Sequence, residues 1–90
     1  MLVSFDPEKR ALTLQQRGLD FADAYKVFQA KHFTAPDLRQ EYAELRNITI
    51  GYLDDRMVVM VWTKRDDSHR IISMRKANER EIKKFSQYLG

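Results

Sequence analysis

Met57-Val58-Val59-Met60-Val61-Trp62 decides the fold, because this stretch is apolar at every position. Side chains of a β-strand alternate between the two faces of a sheet, so such a strand is hydrophobic on both sides. This pattern is typical of a central strand that is covered from both faces. We therefore predict a strand over residues 56–63 in the middle of the sheet.

Two strand-like runs flank the central strand along the chain, at residues 47–53 and 69–76. Short aspartate-containing segments separate the three runs, at residues 54–55 and 66–68, and their residues favour turns. Connections this short predict antiparallel hairpins.

Helices are predicted before and after this strand-rich region along the chain. The N-terminal part favours two helices, over residues 7–17 and 21–29, each preceded by an aspartate that suits the N-cap position. Asn78 starts a third helix, because a glutamate lies three residues beyond it in a capping-box relation. Residues 30–45 show no sustained period, so we expect an irregular connection there, with a short strand at residues 32–35.

The predicted order is a short strand at residues 2–5, two helices, three or four antiparallel strands and a final helix. This order is typical of an α+β fold in which two N-terminal helices and one C-terminal helix pack a small antiparallel sheet of four or so strands. Ninety residues are enough for one hydrophobic core with little to spare. We expect residues 1–90 to form a single domain.

The composition excludes several classes of protein. The absence of cysteine excludes disulfides, thiolate nucleophiles and cysteine-ligated zinc, and no run approaches the ~20 apolar residues of a membrane helix. Glycine-rich phosphate loops, nucleophile elbows and paired zinc-binding histidines are also missing. We expect a soluble, unprocessed, cytoplasmic protein without a metal or cofactor.

Positive charge is concentrated in the C-terminal third. The net charge is +3, yet residues 64–90 carry eight Lys or Arg against four acids. Such a segment is typical of a surface that binds a polyanion, although many solvated helices look the same.

Arg70-Ile71-Ile72-Ser73-Met74-Arg75-Lys76-Ala77 combines fixed cations and a hydroxyl with residues that must help to build the core. With strict alternation, Ser73 and Arg75 share one face of this strand, while Ile72 and Met74 face the core. Arg75 is therefore a candidate for binding an anion.

Other cations at strand ends belong to the same candidate set. Several guanidinium groups on one sheet face can bind phosphate oxygens and offset charge that develops in a phosphorane; ordinary edge-strand charges are the alternative. For Arg75 the alternative is a cross-strand ion pair with Glu44, and Glu44 is either an ion-pair partner or a general base. The further candidates are Arg46, Lys64, Arg65, Arg70 and Lys76.

Two ring-bearing residues receive structural interpretations. Trp62 is assigned to packing, although a tryptophan can also stack on an unpaired base. His69 follows a predicted turn and is interpreted as a solvated loop histidine rather than a catalytic group.

Motifs along nearly the whole chain resemble those of BrnT-type toxins of bacterial toxin–antitoxin systems. In order, they are Phe5-Asp6-Pro7-Glu8-Lys9, Gly18-Leu19-Asp20-Phe21 with Ala24 and Val27-Phe28, Tyr42-Ala43-Glu44-Leu45-Arg46, Ile50-Gly51, Trp62-Thr63-Lys64-Arg65, Arg70 to Ala77 and Glu79-Arg80-Glu81. Each piece is common alone, whereas the ordered combination is specific.

The resemblance implies a RelE-like ribonuclease fold and metal-independent RNA cleavage that arrests translation. It also implies neutralisation by a small ribbon-helix-helix (BrnA-like) antitoxin that represses the operon, in a hetero-tetramer with an antitoxin dimer. By motif, we assign catalysis to Arg46, Arg65, Arg75 and Glu44. We expect RNA phosphates to contact Lys64, Arg70, Ser73 and Lys76, and we expect no metal.

One motif departs from the family pattern. The family commonly has Lys-His-Gly at the end of the first helix, where this chain has Gln16-Arg17-Gly18. Arg17 restores a positive charge but not the proton transfer of an imidazole. The alternative function is therefore that of a catalytically impaired homologue that binds its antitoxin or RNA without cutting. A DNA-binding protein ranks last, because no helix-turn-helix or ribbon signature is present.

Overall fold

Five β-strands and three α-helices are present in the computed structural model, which describes residues 1–39 and 41–90. In chain order they are β1 (Leu2–Phe5), α1 (Pro7–Arg17), a 3₁₀ turn (Phe21–Asp23), α2 (Ala24–Gln29), β2 (His32–Pro36), β3 (Asn47–Leu53), β4 (Arg56–Arg65), β5 (Ser68–Lys76) and α3 (Glu79–Leu89). Position 40 falls within the predicted irregular connection and lies outside the described residues.

The sheet has the strand order β1-β5-β4-β3-β2, so the apolar strand β4 is central, as predicted. Strands β2 to β5 pair antiparallel, whereas β1 pairs with β5 in parallel. The expected small antiparallel sheet is therefore a five-stranded mixed sheet. The parallel pair joins the first strand of the chain to the last, and such a long-range pairing leaves no local sequence signal.

Helices cover both faces of the sheet. On one face, Phe21 and Val27 pack against Val58 and Met60 of β4. On the other face, α3 covers only part of the sheet, where Leu89 packs in the same cluster as residues of β3 and β4. Beyond α3 this face is covered as well, because Val61 and Thr63 of β4 are buried and the Thr63 hydroxyl donates a hydrogen bond to the carbonyl of Leu45.

The second predicted helix begins later than expected. Residues 21–23 form a 3₁₀ turn, and α2 starts at Ala24. The side chain of Asp20 accepts a hydrogen bond from the Ala22 amide at 2.9 Å, which caps the turn. Tight turns of this type are frequent at the N-termini of α-helices.

A β-bulge interrupts β5 at Ile72. Consecutive residues of β4 lie opposite Ser73 and Ile71, which leaves Ile72 without a cross-strand partner. Ile71 and Met74 are fully buried, whereas Ile72 is only half-buried. The assignment of Ile72 to the core is therefore wrong, because the bulge breaks the strict alternation on which it depended.

The structure confirms the assignment of Trp62 to packing. Its side chain is buried on the α2 face, and its indole Nε1 donates a 2.8 Å hydrogen bond to Oγ1 of Thr49. Burial with a satisfied N–H is the usual state of a core tryptophan.

Candidate nucleic-acid interface

Three arginines of β4 and β5 lie on the sheet face that α3 partly covers. Residues paired across two strands share a face, and Arg75 pairs with Val59, which packs beneath α3. Arg70 pairs with Thr63, which lies four residues beyond Val59 and therefore on the same face of β4. Arg65 follows Thr63 by two residues and shares that face as well.

Arg46, the residue before β3, joins this face. It lies two residues before Ile48, which packs against the cluster beneath α3. Ser73 pairs with Val61 and adds a hydroxyl to the same side. Arg39 lines a cavity together with Ser73 and Arg75. We call this surface the arginine face, and it is formed by Arg39, Arg46, Arg65, Arg70, Ser73 and Arg75.

The two candidate lysines lie on the opposite face. Lys64 pairs with His69, and Lys76 pairs with Val58, which belongs to the core under α2. The structure therefore does not bring Lys64 and Lys76 together with the arginines. Strand alternation separates them, because each is adjacent in sequence to an arginine of the arginine face.

Arg75 is held by a carboxylate of α3. Its two terminal nitrogens each donate a 2.8 Å hydrogen bond to one carboxylate oxygen of Glu81. The ion-pair alternative for Arg75 is thus present, but the expected partner Glu44 is wrong. The bidentate contact lowers the pKa of Glu81 to about 2 and raises the pKa of Arg75.

The position of Glu81 is fixed by the start of α3. Its carboxylate accepts a 2.9 Å hydrogen bond from the backbone amide of Asn78, and its own amide donates to the Asn78 side chain at 2.8 Å. This reciprocal contact is the predicted capping box. The helix cap therefore also orients the Arg75 guanidinium.

Glu44 contacts two arginines more loosely. A terminal nitrogen of Arg65 lies 3.3 Å from one of its oxygens, and Nε of Arg46 lies 4.0 Å from the other. The contact with Arg46 is too long for a hydrogen bond. Glu44 therefore keeps more acceptor capacity than Glu81, whose two oxygens are both occupied by short contacts.

Arg46 is positioned by an aromatic ring. Its guanidinium carbon lies 4.2 Å from the ring centroid of Tyr42. Its Nε is buried and has no hydrogen-bond partner among residues 1–39 and 41–90. An unpaired buried donor of this kind favours binding of an added acceptor, such as a phosphate oxygen.

Arg39 was missed by the sequence reasoning, because it lies in the segment without a periodic pattern. It donates two 2.8 Å hydrogen bonds to Asp37, which also accepts a 3.0 Å bond from the hydroxyl of Tyr42. These contacts, led by Arg39, hold the pKa of the buried Asp37 carboxyl well below its usual range. The only hint in the sequence is an aspartate two residues before the arginine.

A cavity of about 290 Å³ joins Arg39 to Arg75. Ser73 and Glu81 also line it, and its floor is formed by Ile48, Val59 and Val61. The positive charge of Arg39 lowers the pKa of Arg75, against the larger opposite effect of Glu81. The cavity therefore brings together two guanidinium groups, each of which is paired with a carboxylate.

Both histidines of the chain lie away from this surface. The prediction that His69 is a solvated loop residue is wrong. The centroid of its ring lies 4.3 Å from that of Trp62 and 5.0 Å from that of Phe28. His32 also contacts Phe28, at 5.6 Å between ring centroids. Burial, with smaller contributions from Lys64 and the N-terminal amine, lowers the pKa of His69. The arginine face therefore contains no imidazole.

A comparison with protein families decides the class of this chain. The model of a family described as "Ribonuclease toxin, BrnT, of type II toxin-antitoxin system" matches residues 5–81. The chain belongs to the BrnT family. The matched range contains every residue of the arginine face, and membership of a type II system implies an antitoxin partner. No curated protein sequence matches the chain.

Arg17, one of the residues at which this chain departs from the BrnT motif, has a structural role. Arg17 donates a 2.8 Å hydrogen bond to the backbone carbonyl of Met74. Since β1 pairs with β5 only as far as Ile71, this bond satisfies a carbonyl beyond the paired part of the strand. In this BrnT-family chain, Arg17 holds α1 against β5 and lies apart from the arginine face.

Within the described part of the BrnT-family chain, none of the helices has the length and apolar character needed to span a membrane.

Proposed function

We propose that this chain is a toxin that cleaves RNA without a metal ion and inhibits translation, with residues 1–90 acting as one toxin domain. Membership of the BrnT family supports the ribonuclease class. The observation that carries the finer proposal is the arginine face, where guanidinium groups from two strands and from the segment before β3 lie on one side of the sheet. A phosphodiester is anionic, and attack on it adds negative charge that such groups stabilise.

The proposed reaction is an internal transesterification of RNA. The ribose 2′-oxygen attacks the adjacent phosphorus, so that an O2′–P bond forms and the P–O5′ bond breaks. A base takes the proton of the 2′-hydroxyl, and the departing 5′-oxygen takes up a proton from water. The products are a 2′,3′-cyclic phosphate and a 5′-hydroxyl, and no oxidant or cofactor enters the balance.

Each residue of the arginine face that the sequence predicted has a proposed role. Arg46, Arg65 and Arg75 stabilise the charge of the transition state, while Arg70 and Ser73 bind a neighbouring phosphate. Arg75 retains its Nε–H and one terminal N–H for this task, since its other bonds go to Glu81 and a backbone carbonyl. Binding of RNA by Lys64 and Lys76 stays a prediction and would involve the opposite face.

Glu44 is the proposed acceptor of the 2′-hydroxyl proton. Three carboxylates lie beside the arginines, but Asp37 and Glu81 both accept short bidentate bonds that lower their pKa. Such carboxylates are weak bases. Glu44 makes only a 3.3 Å contact and a 4.0 Å contact, which leaves lone pairs for a substrate proton. An ion-pair role alone is the alternative for Glu44.

The function is tested by incubating the purified chain with a 5′-labelled RNA in excess chelator. We expect fragments that end in a 2′,3′-cyclic phosphate. Arg75→Ala should lower the cleavage rate by about 10²-fold or more. Arg80→Ala is the matched control, because Arg80 is an exposed arginine of α3 that is not on the arginine face. Cleavage that requires added metal, or an unchanged rate in Arg75→Ala, would contradict the proposal.

The proposed partner is a ribbon-helix-helix antitoxin, in a hetero-tetramer of two toxin chains and an antitoxin dimer within the cytoplasm. The family description supports an antitoxin in general. The molar mass of the purified complex, measured by light scattering, checks the stoichiometry. A heterodimer of one toxin and one antitoxin, or a trimer with a single copy of either protein, would contradict it.

A second candidate function is that of a binding module without cleavage. The observation that favours it is the absence of both histidines from the arginine face, combined with the use of Arg17 to bind the Met74 carbonyl. Without an imidazole, general acid–base catalysis is restricted to a carboxylate and water. Expression of the chain alone separates the two functions: growth arrest with RNA cleavage supports the toxin, and unaffected growth supports the binding module.

A further inference from the structure

Strand β2 leaves one edge of the sheet exposed. It is the outermost strand next to β3, and all five of its residues are exposed to solvent. An uncovered edge presents backbone N–H and C=O groups that can pair with another chain. The other edge strand, β1, is followed directly by α1, and its Ser4 side chain is bonded to Ser68.

The register shows which backbone groups of β2 are free. The amide of Asp37 donates a 2.8 Å hydrogen bond to the carbonyl of Arg46, so Asp37 points its backbone groups toward β3. Because these directions alternate along a strand, the groups of Phe33 and Ala35 also point toward β3. Those of His32, Thr34 and Pro36 therefore point outward.

The free edge is better suited to a foreign segment than to a second copy of the chain. Pro36 has no N–H, so the outward groups are two N–H donors and three carbonyl acceptors. A foreign strand can bond to all five groups. In a symmetric antiparallel pair of two copies, His32 of each faces Pro36 of the other, and only four bonds form in total. Self-pairing thus leaves two carbonyls without a donor.

An apolar surface lies directly beside this edge. Phe33 of β2 is 44% exposed, and its ring centroid lies 5.7 Å from those of Phe85 and Tyr88 in α3. Tyr88 is itself 50% exposed. We call Phe33, Phe85 and Tyr88, together with the outer edge of β2, the edge patch. Aromatic side chains that are fixed by one another and remain exposed are typical anchors of an interface.

The surroundings of the edge patch are basic. The Lys84 ammonium lies 5.3 Å from the centre of the Phe85 ring, and Lys83 and Arg80 are exposed on the same helix. Lys31 is exposed directly before β2. Of the two acids of α3, Glu81 is bound to Arg75, and Glu79 is exposed at the first residue of the helix. A partner with apolar side chains and flanking acids matches this surface.

We propose that an extended, acidic-flanked segment of the antitoxin binds the edge patch and adds a sixth strand to the sheet beside β2. Backbone hydrogen bonds to the edge hold the segment, and its apolar side chains cover Phe33 and Tyr88. The inference rests on the antitoxin partner of the proposed function, but it does not depend on RNA cleavage.

The test uses the polypeptide that is encoded by the gene adjacent to this one, produced as a separate recombinant protein. Amide hydrogen exchange is measured by NMR on the free full chain and on the complex. The amides of His32 and Thr34 point outward, so we expect their exchange to slow at least about tenfold in the complex. Protection elsewhere without these two amides, or no binding of the polypeptide, would overturn the proposal. The same protection in the free chain at higher concentration would assign the edge to a second copy and also overturn it.

Matched charge substitutions provide a second measurement. We expect Tyr88→Glu and Lys84→Glu each to raise the Kd of the complex at least about tenfold. The controls Leu12→Glu and Lys9→Glu introduce the same charges on α1, where Leu12 is also 50% exposed. Equal effects of variants and controls would contradict the assignment.

The RNA assay keeps this inference separate from the proposed function. Tyr88 and Lys84 lie outside the arginine face, so Tyr88→Glu should cleave RNA at the unaltered rate. If the wild-type chain binds the polypeptide through the edge patch but cuts no RNA, the ribonuclease proposal fails and the edge assignment stands. If the chain cuts RNA but the amides of His32 and Thr34 stay unprotected, the edge assignment fails and the ribonuclease proposal stands.

Discussion

Arg75 and Glu81 are joined by two hydrogen bonds of 2.8 Å, and this single contact links the arginine face to the start of α3. Arg75 comes from the end of β5, and Glu81 comes from the first turn of the helix that follows. Because Glu81 also completes the capping box, the folding of α3 and the orientation of Arg75 depend on the same carboxylate. A substitution of Glu81 should therefore affect stability and activity together.

We expect Glu81→Gln to remove a pH-dependent contribution to stability. The pKa of Glu81 is lowered from 4.5 to about 2 in the folded chain, so the unfolded chain binds more protons between these values. The contribution is complete above pH about 4.5 and is lost as the pH falls toward about 2. Urea unfolding at several pH values should give a steeper loss for the wild type than for Glu81→Gln. Parallel curves would show that the ion pair adds no stability.

Glu44→Gln distinguishes a proton acceptor from an ion-pair partner. If Glu44 accepts the 2′-hydroxyl proton, the rate of RNA cleavage should fall by about 10²-fold or more, and the acidic limb of the pH–rate profile should disappear. An RNA with 2′-deoxyribose on the 5′ side of the cut lacks the attacking hydroxyl and is not cleaved. The affinity of Glu44→Gln for this RNA should differ little from that of the wild type. A variant that retains the rate and the acidic limb would restrict Glu44 to holding Arg46 and Arg65.

Arg39→Ala should weaken RNA binding through the loss of one phosphate contact. For single-stranded nucleic acid, each such contact contributes about 0.7 to the slope of log K against log salt. We expect the magnitude of this slope to be smaller by about that amount when Arg39→Ala binds an uncleavable RNA analogue. Arg80→Ala provides the control, and a slope equal to that of the wild type would place Arg39 outside the interface. Asp37→Asn, which frees Arg39 from its carboxylate, should not reduce the slope.

Acidification should destabilise the fold through His69. Burial lowers the pKa of this imidazole below 6.5, so the unfolded chain binds a proton that the folded chain resists. Stability should therefore decrease as the pH falls through about 6.5 and level off below the folded-state pKa. Thermal unfolding followed by the fluorescence of Trp62 provides the measurement. His69→Phe retains a ring against Trp62 and should show a weaker decrease, whereas an identical decrease would assign the effect to other groups.

Local patterns were sufficient for much of the fold. The apolar run of β4 predicted a central strand, and Asn78 with Glu81 predicted the capping box, because both signals are contained in a few neighbouring residues. The pairing of β1 with β5 and the bulge at Ile72 were not predicted. Both depend on contacts between distant segments, which periodicity along one strand does not report.

The candidate site was predicted in kind more than in geometry. Charged residue types and motif spacing selected the candidate arginines, whereas the ion-pair alternative for Arg75 named Glu44 and the observed partner is Glu81. Lys64 was grouped with Arg65 as a cation at a strand end, although adjacent residues of a strand face opposite sides. Arg39 has no periodic context, so only its contact with Asp37 and its place at the cavity of Arg75 reveal it.

The bulge at Ile72 also determines the spacing of charge. Arg70 and Arg75 are five residues apart, and in a regular strand an odd separation puts two side chains on opposite faces. The extra residue shifts the alternation by one, so both arginines reach the same face. If β5 instead kept Ile72 in a regular strand without the bulge, the two guanidinium groups would lie on opposite sides of the sheet. The irregular pairing of β5 is therefore as much a requirement of the site as the charge of these arginines.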